Sequence, residues 1–570
     1  MMKKTLTVLC VIAITLIFAT TSRASIPSVG DPGRSWVHPD DAQLGQHIQM
    51  FIDTAPGDVA SFLIPESSGP NPKENPTCTS QADPKCAGQR LNFSAVLPKC
   101  LSDADVNCTA DFGTIDGSGV KTSANFARYF PLRAQNQYKG DASKKLPDGV
   151  AGSLYSLPSA AHDGGDKYYL SVVLTGGTDS SGNAQKPRLE IRATPVALES
   201  TGELSSNSSQ NIDSGWALIK DGYTGVERWG MQASGWSGKG FCVAMSTKEN
   251  LCAQKYAFPG DTRMYVTLKL SQLPSGWMHG RISSPEIQVT TQSSYSLLEI
   301  QGNPIAVPVV YKKYEYTEMP EALKKMYSVE KGGYIPTCSP QEDYCAGGNS
   351  GPSKNPLTRN VMLLPTPSSQ DGMDQLKLWI PYVNDKATAL MSFWSARTLS
   401  GNEMSGASQC FVDSNKITGI VTTNSTQYSA GPPKFTKSQG TLDYQVASPH
   451  FGTTGDVFKG SYDLVMRSDV ARCIYGFSKA PINATLSITS SDGTPQIATT
   501  IIGERNGWLY LQAKNFEFSA PVIKAKLWQE AGIITAKSTA KRSTITCSKG
   551  KDVKRIYGVT PKCPSGYRKK

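Results

Sequence analysis

The sequence predicts a mainly β protein, with two duplicated antiparallel β-sandwich-like modules, disulfide-clipped loops and a small C-terminal hairpin. A cysteine-bearing segment occurs twice, at residues 76–88 and at residues 336–347, with a similar order of residues around its two cysteines. Such a match between distant segments suggests a duplicated module. Short β-branched and aromatic runs separated by Asp-Gly and Asn-Gly pairs are strong hairpin signals, and their spacing favours antiparallel sandwiches.

The N-terminal residues 1–24 have the pattern of a secretory signal peptide. Lys3 and Lys4 precede an apolar run, Leu6–Ala19, which is followed by the small-residue segment Ser22–Ala24. The apolar run is too short for a stable membrane span, and no later segment reaches the necessary length. We therefore expect an exported mature chain that begins at Ser25 and has no transmembrane segment.

Twelve cysteines remain once the signal segment, with Cys10, is removed. An even number of cysteines in an exported chain favours disulfides over metal ligands or catalytic thiols. The spacing does not fix the connectivity, and it lacks the paired C-x-x-C blocks of a zinc site. Pairing of nearest neighbours predicts the following bonds: Cys78–Cys86, Cys100–Cys108, Cys242–Cys252, Cys338–Cys345, Cys410–Cys473 and Cys547–Cys563.

The two modules are predicted at residues 25–318 and 334–530, joined by a connector helix at 319–333. The helix is the one good helical pattern, because Pro320 stands at its first turn and two glycines follow it. The modules align in part: Arg128–Leu132 resembles Leu378–Tyr382, each interpreted as an aromatic strand ended by proline. Trp277–Gly280 likewise resembles Cys473–Gly476, and the first module contains an insertion near residues 199–213.

The clearest strands lie late in the second module. Ala484–Ile488, Ile497–Ile502 and Trp508–Leu511 are separated by turn residues that end in Gly493 and Gly507. A small, polar linker is predicted at residues 531–543. Residues 544–570 then form a basic tail, interpreted as a hairpin stapled by two cysteines because it is too small to have a core.

The positive charge is concentrated in this tail. From Lys537 onward there are eleven lysines and arginines and a single acid, Asp552, while the whole chain has a formal net charge of +11. Concentrated cationic charge attracts anionic polymers and is screened by salt. We expect the tail to associate with a cell-envelope polymer or polysaccharide, through residues that include Lys549, Lys551, Lys554 and Arg555. A solubility tail or an export sorting signal is the alternative interpretation.

The tail segments Ile545–Lys551 and Pro561–Lys570 resemble a C-terminal module of exported actinobacterial surface proteins, a family without an assigned activity. The segment from Arg472 to Ser519 is similar to a region found in some of them. The resemblance covers about the last quarter of the chain. It implies a location at the cell surface and leaves the chemistry open.

Candidate sites in the body are few. Trp229 and Trp236 lie in a glycine-rich segment and would form a sugar-stacking or protein-binding surface if exposed, although tryptophan more often packs in a core. None of the five histidines forms an H-E-x-x-H pair, so we expect no catalytic zinc and no cofactor. The body also lacks the interleaved basic and aromatic residues of a nucleic-acid surface, so we expect no nucleic-acid partner.

These observations favour an exported surface protein with a structural or binding role and without catalytic activity. The alternative is an extracellular carbohydrate-active enzyme of the glycoside hydrolase type, whose paired carboxylates meet only in the fold. A carboxylate pair in a cleft lined by Trp229 or Trp236 would favour the enzyme. Ligand and oligomeric state do not follow from the sequence.

Overall fold

The computed structural model is mainly β, with 54% strand and 10% helix, which confirms the predicted fold class. It describes residues 45–53, 61–66, 77–132, 137–185, 187–200, 216–220, 227–231, 235–237, 240–246, 249, 251–260, 262–327, 349–350, 357, 360–412, 416–479, 481–489, 495–496, 499–518, 521–529, 543–558 and 560–570. The predicted signal peptide, Cys338, Cys345 and most of the predicted linker lie outside the described residues. The internal duplication stays a prediction.

Nineteen of the described strands precede residue 319. They are β1 Gln46–Phe51, β2 Phe62–Pro65, β3 Leu91–Val96, β4 Cys108–Ile115, β5 Lys121–Ser123, β6 Asn125–Tyr129, β7 Ser153–Ser156, β8 Lys167–Gly177, β9 Arg188–Ser200, β10 Trp216–Lys220, β11 Glu227–Met231, β12 Gly235–Ser237, β13 Gly240–Ser246, β14 Leu251–Lys255, β15 Arg263–Leu270, β16 Gly276–Arg281, β17 Ser283–Thr291, β18 Ser296–Asn303 and β19 Ile305–Glu315.

The remaining described elements are sixteen strands and three α-helices. The helices are α1 Glu321–Lys324, α2 Gln370–Trp379 and α3 Ser468–Tyr475. The strands are β20 Asn349–Ser350, β21 Asn360–Leu363, β22 Ala389–Thr398, β23 Ile417–Thr423, β24 Gln427–Tyr428, β25 Lys434–Thr436, β26 Thr441–Ala447, β27 Lys459–Arg467, β28 Asn483–Thr489, β29 Pro495–Gln496, β30 Thr499–Arg505, β31 Trp508–Glu517, β32 Val522–Trp528, β33 Ser543–Lys549, β34 Asp552–Gly558 and β35 Arg568–Lys569.

A large central sheet contains strands from both predicted modules. Its middle runs β8, β9, β22, β16, β23, β27, β31 and β30. Strand β22 lies between β9 and β16. Strand β16 in turn lies between β22, with which it pairs antiparallel, and β23, with which it pairs in parallel. The boundary predicted at 319–333 therefore separates the chain into two segments that share one sheet.

The central sheet is the middle of three layers. On one face it packs against a five-stranded sheet of β17, β18, β15, β4 and β5, through residues such as Val266, Ile300 and Val465. On the other face it packs against a six-stranded sheet that includes β26, β28 and β32, through residues such as Leu464 and Ile523. Because side chains alternate along a strand, Leu464 and Val465 of β27 enter opposite cores.

The helices differ from the prediction of one connector. Helix α1 begins after Pro320 and continues as a 3-10 turn to Tyr327, inside the predicted connector. The interpretation of Leu378–Tyr382 as a strand is wrong, because Leu378 and Trp379 end helix α2 and a 3-10 turn follows. Ser369 caps α2 by accepting a hydrogen bond from the Gly372 amide, 3.0 Å away.

The aligned segment Cys473–Gly476 also differs from its predicted counterpart. Trp277–Gly280 lies in strand β16, whereas Cys473–Tyr475 ends helix α3 and Gly476 terminates that helix in a left-handed conformation. A left-handed residue after a helix is commonly glycine, because glycine has no Cβ. The similarity of the two segments therefore does not extend to their secondary structure.

Five of the six predicted cysteine pairs are bonded in the structure: Cys78–Cys86, Cys100–Cys108, Cys242–Cys252, Cys410–Cys473 and Cys547–Cys563. Four of them close loops of 8 to 16 residues, and Cys410–Cys473 links helix α3 to a segment 63 residues earlier. Such bonds restrict the unfolded chain and so stabilise the folded state.

A glycine allows two strands of the central sheet to pack closely. Gly419 of β23 lies directly opposite Trp277 of β16, whose indole is buried. A Cβ at Gly419 would be 2.4 Å from a ring carbon of Trp277 and 2.7 Å from the backbone oxygen of Val465. Neither atom is the flexible end of an exposed side chain, so any larger residue forces the two strands or the indole to move.

We predict that Gly419→Ala lowers the free energy of unfolding by roughly 1–3 kcal/mol, the usual cost of overpacking a core. Gly503→Ala in β30 is the matched control, because Gly503 is exposed and a Cβ added there would have no other atom within 4 Å. Denaturant unfolding of both variants and the parent protein measures the difference. Equal losses in the two variants would show that strand propensity, and not the contact with Trp277, determines the result.

Candidate functional site

The basic tail forms a three-stranded antiparallel sheet of β34, β33 and β35, which we call the tail sheet. The Cys547–Cys563 bond fastens the loop before β35 to the central strand. Asp552 is the only acid among residues 543–570. All eight basic side chains of these residues are exposed: Lys549, Lys551, Lys554, Arg555, Lys562, Arg568, Lys569 and Lys570.

The tail sheet has two different faces. On the covered face, Cys547 lies opposite Lys554 and carries the disulfide, and Tyr567 packs on this side. The Lys554 ammonium is 4.9 Å from the centroid of the Tyr567 ring, and the Tyr567 hydroxyl donates a hydrogen bond to Asp552. Tyr567 and the charge of Asp552 raise the pKa of Lys554, which keeps this side chain charged.

The other face of the tail sheet is the open face. Val553, Arg555 and Tyr557 alternate with covered-face residues along β34, and Arg568 of β35 lies on the same side through its pairing with Ser548. Val553 is 53% exposed and Tyr557 is 65% exposed. The sequence prediction included Arg555 but missed Tyr557 and Arg568, because only the strand register shows that they share a face.

The tryptophans predicted as a binding surface lie on short strands. Trp229 is in β11 and pairs with Leu218 of β10, and Trp236 is in β12 and pairs with Phe241 of β13. Their side chains lie outside what the structure describes. Their role in binding therefore stays a prediction.

The body contains a charged cluster on the central sheet, where three adjacent strands each contribute an arginine: Arg192 of β9, Arg397 of β22 and Arg281 of β16. Arg397 makes two hydrogen bonds of 2.6 and 2.8 Å with the carboxylate of Glu403. Arg192 contacts Glu190 at 2.5 Å. Each of these two guanidinium groups therefore lies next to a carboxylate. A charge removed from water needs such a partner to replace its lost hydration.

Arg281 is the most deeply buried of the three arginines, with 5% of its side chain exposed. It forms an ion pair with Asp53 and donates hydrogen bonds of 2.8 and 2.7 Å to the backbone oxygens of Thr423 and Ser425. Its guanidinium carbon lies 4.5 Å from the centroid of the Tyr428 ring. The arginine thus joins the segment after β1 to the end of β23.

Two carboxylates of this cluster, Glu403 and Glu190, are held in their charged form. Burial acts to raise the pKa of Glu403, but the hydrogen bonds and charge of Arg397, with groups of Ser400 and Ser368, lower it to about 2. The charge of Arg192 lowers the pKa of Glu190. A glycosidase acid needs the opposite shift, because it must be protonated to donate to the leaving oxygen. The cluster therefore has the electrostatics of a structural network.

Asp463 of β27 has the shift that an acid catalyst would need. Burial raises its pKa to about 6, against hydrogen bonds from Gln512, the Ser284 amide and Thr422. However, Asp463 is only 2% exposed and points into the same core as its neighbour on that face, Val465. Its surroundings explain the shifted pKa, and they also keep a polymer substrate away from it.

Two other classes of site are not found among the described residues. No group of three or more histidine, cysteine, aspartate or glutamate side chains is arranged to hold a metal ion. Within the same part of the chain, no helix combines the length and apolar character needed to cross a membrane.

No protein family, curated protein or solved structure matches this chain.

The raised pKa of Asp463 predicts a pH-dependent contribution to stability. Its ordinary pKa is 3.8 and its folded pKa is about 6, so the folded state holds the proton more tightly than the unfolded state. The contribution is therefore present below pH 3.8 and is lost as the pH rises through about 6. The stability of Asp463→Asn relative to the parent protein should therefore rise by roughly 2 kcal/mol between about pH 4 and about pH 7.

Denaturant unfolding of both proteins across this pH range gives the result as a difference of two free energies. Other titrating groups cancel in that difference, because both proteins contain them. A difference that stays constant with pH would contradict the assignment of the shift to Asp463.

Proposed function

We propose that the chain is an exported protein of the cell surface, with a structural or binding role, whose tail sheet associates with an anionic polymer of the cell envelope. The observation that carries the proposal is the tail sheet itself. It exposes eight basic side chains and one acidic side chain on a unit held together by a disulfide. Such a charge density attracts polyanions over roughly a Debye length.

Three further observations support export. The N-terminal residues have the pattern of a signal peptide, and the tail resembles a module of exported actinobacterial surface proteins. The five disulfides are compatible with an oxidising compartment, where such bonds persist. The signal-peptide pattern and the disulfides are independent of the tail charge.

The charged cluster and Asp463 do not have the properties that glycoside hydrolysis needs. Glu190 and Glu403 are held as anions by arginines, and Asp463 is buried away from solvent. A hydrolase would need an acid and a second carboxylate on either side of an accessible sugar. The hydrolase is therefore the alternative, and the following experiment would detect it through released sugar.

We predict that the mature chain is retained on purified cell envelope and that a chain ending at Ala536 is not. Retention should fall steeply as the ionic strength rises from about 0.1 M to about 1 M, because the Debye length shortens from about 10 Å to about 3 Å. Sedimentation of the envelope with bound protein measures both effects. Released reducing sugars are assayed in the same tubes, and none are expected.

Circular dichroism and thermal unfolding of the shortened chain show whether its body remains folded. Equal retention of the two chains would contradict the role of the tail. Release of sugar by either chain would favour the carbohydrate-active enzyme instead.

A further inference from the structure

The open face of the tail sheet combines three kinds of side chain on one flat surface. Along β34 the order is Val553, Arg555 and Tyr557, so the arginine stands between an aliphatic and an aromatic side chain. The neighbouring positions of β33 are Thr546 and Ser548, which offer hydroxyl groups. The covered face differs, because the disulfide and Tyr567 occupy it.

Two arginines of the open face stand apart. Arg555 pairs with Thr546, and Arg568 pairs with Ser548 on the other side of β33. One strand, β33, lies between them, and their positions differ by two residues along it, so standard sheet spacings place their Cα atoms about 12 Å apart. Both arginine side chains are exposed, and no described residue forms an ion pair with either of them.

These groups match the chemistry of a charged sugar chain. A guanidinium forms paired hydrogen bonds with a carboxylate, which an ammonium group does not. An exposed tyrosine provides a rigid apolar surface with a polar end, at low cost in conformational entropy. Tyr557 has this exposure beside Arg555, and the threonine and serine hydroxyls lie between the two arginines.

We propose that the open face is a binding surface for an acidic polysaccharide. Arg555 and Arg568 pair with carboxylates on successive parts of the polymer, and Tyr557 packs against a sugar ring between or beside them. This inference rests on the proposed function, since it names the surface and the ligand class of the same tail. It differs from that function because it attributes the binding to one face. Association through charge alone would instead involve all eight basic residues equally.

A lipid surface fits the open face less well. Membrane-binding surfaces place apolar side chains together so that they enter the hydrocarbon boundary. Here Arg555 separates Val553 from Tyr557, and no continuous apolar edge is formed. Single-stranded nucleic acid also fits less well, because such sites stack several successive bases on aromatic residues and this face presents one tyrosine.

The test uses two double variants of the full mature chain that remove the same charge from different places. Arg555→Gln with Arg568→Gln changes the open face. Lys549→Gln with Lys551→Gln changes the turn between β33 and β34, outside the open face, where the Lys549 ammonium lies near Gly566. All four side chains are exposed, so the fold should tolerate both changes, and thermal unfolding confirms this.

Binding is measured on immobilised polygalacturonate, with neutral dextran as the uncharged probe, at about 0.1 M salt where charges still interact over about 10 Å. We expect the open-face variant to lose about tenfold or more in affinity, and the lysine variant to lose about threefold or less. Arg555→Lys with Arg568→Lys should lose affinity too, because it keeps the charge and removes the paired hydrogen bonds. Tyr557→Ser should weaken binding without changing its salt dependence.

The outcomes test the open face, the class of ligand and the role of the tail separately. Equal losses in the two glutamine variants would overturn the open face as a site and leave the charge-based association intact. Tighter binding to vesicles of phosphatidylglycerol and phosphatidylcholine, or to oligothymidine, than to polygalacturonate would overturn the polysaccharide. Envelope retention that survives removal of the tail would overturn the proposed function itself.

Discussion

The central sheet is buried on both faces, and every strand in its middle must therefore find hydrogen-bond partners inside the protein. Strand β16 meets this requirement with β22 on one side and β23 on the other, although both strands come from more than a hundred residues later in the chain. Strand β9 likewise depends on β22. A chain that lacked β22 would expose unpaired backbone groups in the middle of an apolar layer, which costs several kcal/mol for each group. The two halves consequently depend on each other for folding.

The same burial explains why so many charges in the body come in pairs. The Arg281–Asp53 and Arg397–Glu403 pairs lie on the face of the central sheet that is covered by the six-stranded sheet. A charge removed from water is tolerated when a partner and further hydrogen bonds replace the lost hydration. Glu403 is paired with an arginine, and its pKa is lowered. Asp463 is buried without an arginine, and its pKa is raised. Charge in the body thus serves the fold, whereas charge in the tail faces solvent.

Local features of the fold are predictable from the sequence, and long-range ones are not. Asn506 and Gly507 both adopt positive φ, at 52° and 77°, and join β30 to β31 as the Asn-Gly signal predicts. Helix α2 escapes the prediction because its aromatic end before Pro381 has the composition of a strand, although Met373, Leu376 and Trp379 recur with helical spacing. The insertion of β22 between β9 and β16 depends on pairings between distant segments, which no local pattern encodes. In the tail, composition indicates the charge, but the sharing of a face by Arg555, Tyr557 and Arg568 requires the register.

The Cys410–Cys473 bond also affects how the protein would behave under tension. It joins two cysteines that are 63 positions apart in the sequence. The loop between them contains β23 and β27 of the central sheet and β24, β25 and β26 of the six-stranded sheet. If a polymer holds the tail while the rest of the chain is pulled, force reaches this region from its C-terminal side. The covalent bond carries that force past the enclosed strands, so they add no length to the extended chain while the bond is intact. An anchored protein of this kind would extend only outside the loop, and reduction of this bond would add the enclosed residues to its extended length.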